Sequence, residues 1–283
     1  MMSNRAYRIQ SQPPYFVGLE GAGTVAAVGQ DLKKAHKVGD RVHVHHIGGL
    51  REFVLIDSEE VRAVAEDLSL KEAACHIVNP ATVAYMASLA VRGGHKAAIN
   101  TAASSALGRM FIRYCKERGV KTINTVRQDK YIEELKKEGA DYVLNSQAAD
   151  FESKLKEIAE KEGATISFEA VGGDLTRKIL GNQPEDSICY IYGGLEGEKI
   201  KDLGVGDFIF QGKTVTGFWL GKYLRKNWNE FGEIQKELET HAKTIFKSHI
   251  QKVFKLTELE EALAYYKDNS TTPLIEPAYA MSD

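Results

Sequence analysis

The first part of the chain is punctuated by glycine. Between residues 15 and 65, short β-branched runs alternate with turn residues: GTVAAVG (23–29), GDRVHVHHIGG (39–49) and REFVLI (51–56). Runs of this length, bounded by glycine, predict strands of a small antiparallel β unit with turns at Gly29, Gly39 and Gly48-Gly49. From about residue 80 the period changes. AAINTAA precedes the helical RMFIRYCKERG, KTINTV precedes DKYIEELKKEG, DYVLN precedes DFESKLKEIAEKEG, and TISFEAV, ICYIYGG and KTVTGFWL follow. Strands alternating with helices of roughly ten to fifteen residues predict right-handed βαβ units and a parallel, doubly wound α/β sheet. Beyond Leu220 come a charged helix over 222–246, a strand-like HIQKVF, the helix LTELEEALAYYKDN and a short apolar PLIEP. This tail is not another βα repeat, so it is expected to return to the first domain or to cap the sheet. The predicted organisation is a β domain over 1–80, a Rossmann domain over 81–220 and a C-terminal segment over 221–283.

Composition narrows the function classes. The 283 residues are 43% hydrophobic and 27% charged, ordinary values for a globular chain long enough for one large or two moderate domains. With 37 basic and 39 acidic residues and a formal charge of -2, no positive field favours nucleic acid. No window approaches the ~18 consecutive apolar residues of a membrane span, and MMSNRAYRIQ lacks a signal-like apolar stretch. A cytoplasmic or organelle-matrix setting follows as the expectation. Cys75, Cys115 and Cys189 lie far apart, without metal or redox spacing, and read as buried small hydrophobes.

The first strand-to-helix turn of the Rossmann pattern carries the candidate chemistry. In the fingerprint G-x-G-x-x-G, two glycines admit pyrophosphate and the third lets the helix pack on the strand. Here Ala103 and Ser105 occupy the first two places and Gly108 the third. Ser104, Ser105, Ala106, Leu107 and Gly108 are the candidate phosphate loop, because backbone amides at a helix start meet an anion in the positive end of the helix field. A tight βα turn without a ligand is the alternative. The next strand ends at Val126, where an NAD site presents an acid to the ribose. This chain has Arg127 and Lys130 there, suited to a 2′-phosphate, with Asp129 deeper in the loop. NADPH is therefore the expected cofactor, unless both cations are simply solvated loop charges.

In order along the chain, Gly18-Leu19-Glu20-Gly21-Ala22-Gly23, Val38-Gly39-Asp40-Arg41-Val42, Asn79-Pro80-Ala81-Thr82-Val83-Ala84-Tyr85, Ala170-Val171-Gly172-Gly173, Tyr192-Gly193-Gly194 and Gly217-Phe218 resemble the medium-chain dehydrogenase/reductase superfamily, in its zinc-independent quinone oxidoreductase and enoyl reductase branch. The resemblance runs from Tyr7 to about Pro277. It implies a GroES-like, mainly antiparallel β substrate domain beside the Rossmann domain, and hydride transfer from NADPH to a quinone, enal, enone or 2-enoyl thioester. Where the zinc enzymes of that superfamily carry His, this chain has Leu19, and the cysteine lobe is missing, so no metal is implied. His43, His45 and His46 read as a polar strand face, with a metal cluster as the alternative, since 43 and 45 share one face of a strand.

By resemblance, a tyrosine before the Gly-x-Glu-Gly signature donates to the developing oxyanion, which makes Tyr7 the candidate and Tyr15 its competitor. Asn79 and Thr82 are further candidates at the cleft, although Asn79-Pro80 equally suits a helix cap followed by a helix-start proline. Val171, Gly172, Tyr192, Gly193, Gly194 and Phe218 are expected beside the nicotinamide, since open α/β sheets bind ligands beyond the carboxyl ends of their strands. Phe218 and Trp219 serve a pocket wall or core packing equally well. The expected partners are a small-molecule substrate and a second copy joined through the last Rossmann strand, Lys213 to Leu220; a monomer with that strand covered is the alternative. Relatives carry a longer front segment, so a shortened, catalytically idle nucleotide-binding or structural subunit is the competing expectation.

Overall fold

The computed structural model describes residues 17–30, 35–46, 48–196, 199–200, 202–226, 228–269 and 272–276. Contacts divide the chain into two compact units, with the divisions at Ala81/Thr82 and Ile234/Gln235. The C-terminal residues from Gln235 group with the first unit.

The first unit holds an antiparallel sheet of β1 (Glu20–Thr24), β2 (Arg41–His45) and β3 (Val61–Ala63). The short helix α1 (Leu70–Ala73) opens with a capping box in which Ser69 and Glu72 satisfy each other's backbone amides. REFVLI, predicted as a strand, forms none. It belongs to none of the sheets among the described residues, and Phe53 and Leu55 stand 63% and 97% exposed. An alternating run becomes a strand only where a neighbour accepts its backbone bonds and covers one face.

The second unit is the doubly wound α/β sheet. The helix α2 (Val78–Arg92) crosses the division between the units and leads into β4 (Ala97–Asn100), α3 (Ala106–Glu117), β5 (Lys121–Val126), α4 (Ile132–Glu138) and β6 (Tyr142–Asn145). After these come α5 (Phe151–Glu162), β7 (Ile166–Glu169), α6 (Gly173–Gly181), β8 (Ile188–Ile191), α7 (Val205–Ile209) and β9 (Thr214–Gly217). Their order is β6-β5-β4-β7-β8-β9, and every pairing is parallel. Helices cover both faces. Ile99 and Ile123 pack with Phe151, Leu155 and Ile179 of α5 and α6, whereas Val126, three positions along and so on the opposite face, packs with Ile112 and Leu135 of α3 and α4. Each such buried side chain stabilises the fold by about 1.5–3 kcal/mol.

Over the helix expected at 222–246 the described residues form α8 (Leu220–Lys226) and α9 (Trp228–Thr240), Asn227 lying outside the described residues. Beyond α9, β10 (Ile250–Lys255), α10 (Leu259–Asn269) and β11 (Thr272–Glu276) complete the first unit, with β10 and β11 paired in parallel. Ala242 packs against Val64, Leu68 and Ala73, and the His76 ring meets the Leu238 carbonyl at 3.0 Å.

Candidate active site at the switch point of the parallel sheet

The strand order reverses between β4 and β7. The chain runs outward from β4 to β5 and β6, then returns to place β7 on β4's other side. A ligand crevice forms where such a reversal parts the turns leaving two adjacent strands, here the turns after Asn100 and Glu169.

The turn after β4 is built from small residues. Thr101 and Ala103 are fully buried, and Ala102 sits at φ 49, a left-handed backbone that costs an alanine on the order of 1 kcal/mol. Ser105 caps α3, its hydroxyl accepting from the Gly108 amide at 3.1 Å. The amides of Ala106 and Leu107, in the first turn, have no carbonyl behind them in the helix and remain as donors. A Cβ at Gly108 would lie 2.6 Å from both the Cα and the carbonyl oxygen of Ala103, so the third fingerprint glycine is sterically required. Beneath the turn, the buried Asn100 amide donates to the Gly108 carbonyl (3.2 Å) and to Asn124 Oδ1 (3.0 Å), fixing the helix start to two strands. The Arg109 Nε donates to the Ser104 carbonyl at 3.0 Å, while its guanidinium pairs with Glu134 and Glu138 of α4. Ser104 to Leu107 stay half-exposed, so the two missing glycines have not been replaced by side chains that bury the loop. A helix start with spare amides and small side chains fits a pyrophosphate.

At the end of β5, Val126 is buried and Arg127, Gln128, Asp129 and Lys130 are exposed. Asp129, in this tip, accepts from Asn145 Nδ2 at 2.8 Å. The Lys130 ammonium lies 4.9 Å from the Tyr131 ring centroid.

Across the switch point, the turn after β7 is organised by a residue the sequence reading passed over. Glu169 is fully buried at the strand's last position. Its Oε1 accepts from the Val171 amide (2.7 Å) and the Thr101 hydroxyl (3.3 Å), and its Oε2 from the Gly172 amide (2.8 Å) and the Thr176 hydroxyl (2.8 Å). The amides of Val171 and Gly172 are thus committed to Glu169, and the Val171 carbonyl accepts from the Glu196 amide, so the turn is held from both sides. Gly172, at φ 80 and ψ -160, adopts a backbone open in practice only to glycine. A signal was present: a lone carboxylate ending an otherwise uncharged buried strand, directly before a glycine turn.

The loop after β8 is laced to that turn. Tyr192 donates its amide to the Glu169 carbonyl at 2.9 Å, and Leu195 and Glu196 donate to Ala170 and Val171 at 3.0 and 2.9 Å. A Cβ on Gly193 would fall 2.8 Å from the Ala170 carbonyl, so that position is closed to larger residues. Burial, and after it the Glu169 charge, drives the Tyr192 hydroxyl upward, so it stays protonated. Gly194 is exposed. Phe218 is buried after β9 and stacks on Tyr223 with centroids 4.5 Å apart, which is core packing, whereas Trp219 is 54% exposed.

Of the remaining candidates, Thr82 is buried in α2 and Asn79 half-buried in its first turn. Asn79 is not the cap. The Glu20 carboxylate, from β1, accepts from the Ile77 and Val78 amides at 3.0 and 2.9 Å and closes the helix start. Tyr7 and Tyr15 lie outside the described residues. Among the described residues, no three His, Cys, Asp or Glu side chains are placed to share a metal ion. His43 stacks on His76, with centroids 6.4 Å apart, and His46 faces Glu60 at 3.7 Å. Burial, then the His76 and Arg62 charges, lowers His43 to about 4. No helix among the described residues is long and apolar enough to cross a membrane.

Comparison with known proteins agrees with this geometry. Residues 1–95 match the alcohol dehydrogenase GroES-like domain, and residues 106–238 match the family described as zinc-binding dehydrogenase. A Mesorhizobium loti protein assigned as an NADPH:quinone reductase is 31% identical, superposes with a TM-score of 0.83, and is matched over 92% of this chain and 77% of its own. The mitochondrial enoyl-[acyl-carrier-protein] reductase of Caenorhabditis elegans is 29% identical over 84% of this chain and 76% of its own. Escherichia coli quinone oxidoreductase, solved with NADPH, shares the fold at a TM-score of 0.83 and 23% identity, over 95% of this chain and 85% of its own. The chain belongs to the medium-chain dehydrogenase/reductase superfamily. Within it, the protein is an oxidoreductase enzyme of the quinone oxidoreductase and enoyl reductase kind.

Proposed function

We propose that the protein binds NADPH and reduces a quinone or a carbon–carbon double bond conjugated to a carbonyl, as in an enal, enone or 2-enoyl thioester. The observation that carries this reading is the turn after β4: a helix start with spare amides, small half-exposed residues and a glycine forced by close packing, at the reversal of a parallel sheet. Ser104 to Gly108 hold the pyrophosphate. Arg127 and Lys130 meet the adenosine 2′-phosphate, a reading favoured by Asn145 engaging Asp129, the acid of the same loop. The surfaces of Val171, Gly172, Tyr192 and Gly193 orient the nicotinamide ring. The bound cofactor supplies the hydride. This chain's own task is to meet the charge that develops on the substrate oxygen; Tyr7 is assigned as hydroxyl donor, with Asn79 and Thr82 as further polar candidates for that role. The reading calls on no metal.

Fluorescence titration with NADPH and NADH, followed by a panel of 1,4-benzoquinone, a 2-alkenal and crotonyl-CoA, tests it. Tighter NADPH binding with turnover of one acceptor class is expected. Binding without turnover on any of them would assign the chain an idle nucleotide-binding role, and no binding would end the reading. We further propose a homodimer through β9, one of the two edge strands of the sheet, checked by light scattering on the eluting protein.

A further inference from the structure

We infer that Glu169 is a positioning residue that holds the two cofactor-facing turns of the switch point in one fixed spacing; the inference rests on the NADPH reading above. The carboxylate binds both sides of the crevice at once. Its Oε1 takes the Thr101 hydroxyl, from the turn that leads into the phosphate loop, and its Oε2 takes Thr176 inside α6. Between them it gathers the Val171 and Gly172 amides of the opposite turn. Thr101 is drawn in from a second direction, because the Ala170 amide donates to its hydroxyl at 2.9 Å. All four donors around the carboxylate belong to groups with little or no access to water, so none can be released cheaply to solvent.

The geometry separates the two ends of a dinucleotide. Thr101 and Val171 leave the adjacent strands β4 and β7, whereas Arg127 leaves β5 on the far side of β4. A carboxylate that ties only the first two turns governs how a pyrophosphate and a nicotinamide are presented together. It leaves the adenosine end untouched. Stability alone would not distinguish this role from ordinary packing; the difference between whole cofactor and adenosine fragment does.

The test compares wild type, Glu169→Gln and the milder Thr176→Val for binding of NADPH and of 2′,5′-ADP, with thermal melting as the check of folding. Whichever way a glutamine amide is turned, its N–H groups face the Val171 or the Gly172 backbone amide, neither of which can accept, so one side of the clamp must open. Glu169→Gln is expected to weaken NADPH at least about tenfold while leaving 2′,5′-ADP unchanged, with Thr176→Val intermediate for NADPH and silent for the fragment. Unchanged NADPH affinity in Glu169→Gln overturns the inference. So does equal weakening of NADPH and 2′,5′-ADP, which marks a general loss of packing. Should Glu169→Gln not fold, Thr176→Val carries the test by the same two comparisons. Wild type that binds neither ligand overturns the NADPH reading itself, an outcome distinct from any change confined to the variants.

Discussion

Replacing Gly108 by alanine isolates the one fingerprint glycine this chain retains. The added Cβ would stand 2.6 Å from the Cα and carbonyl oxygen of Ala103 and 2.8 Å from the carbonyl oxygen of Ala102, where ordinary contact begins at 3.4 Å. Helix and turn must therefore part by up to about 0.8 Å, the difference between those separations. Neither side yields easily. The helix start is held by Asn100 through the Gly108 carbonyl (3.2 Å), and the turn by the bond from the Ala103 amide to the Thr125 carbonyl (3.1 Å). Overpacking of this kind costs about 1–3 kcal/mol, which for a chain of this size lowers the melting temperature by roughly 2–12 °C. Because the shift moves the amides of Ala106 and Leu107, NADPH affinity should fall as well. Gly181→Ala is the control: nothing lies within 4 Å of its Cβ, and in a helix alanine gains about 0.5–1 kcal/mol over glycine. Differential scanning fluorimetry with and without NADPH reads both effects. A Gly108→Ala protein that melts with wild type and binds NADPH equally well would refute the packing argument and the placement of the cofactor together.

Three further outcomes follow. His43 titrates near 4 when folded and at 6.5 when unfolded, so the unfolded chain takes up the extra proton as pH falls through that window. Stability is full above 6.5 and is lost towards 4, by at most about 3 kcal/mol; His43→Leu should flatten the denaturation midpoint against pH, and an unchanged slope would rule this out. Glu20→Ala removes the acceptor that closes α2 and should cost about 1–2 kcal/mol in a chemical melt, with no loss expected if the helix start is satisfied elsewhere. Arg127→Ala should weaken NADPH about tenfold and spare NADH, which lacks the 2′-phosphate; equal effects on both would remove Arg127 from the cofactor site.

What was legible in the chain was periodic. The change from glycine-bounded β-branched runs to alternating strands and helices specifies a small antiparallel unit and a parallel sheet, because side chains repeat every two residues along a strand and every 3.6 along a helix whatever surrounds them. The turn of small residues after β4 was legible too, down to Gly108 as its close-packed glycine, since a helix start after a buried strand is a local arrangement. Only the tertiary structure decided the rest. REFVLI carries strand alternation and still forms no strand among the described residues, since alternation alone does not supply a paired neighbour. Asn79 reads as a helix cap, but the helix start is closed by Glu20, 57 residues before the Ile77 amide it accepts from. Glu169 reads as one acid among many until the crossover from β6 back to β7 sets it beside Thr101 and gives its carboxylate four donors. A hydrogen bond between residues distant in sequence leaves no period behind it, so the pairs that shape this site appear only once the sheet has closed.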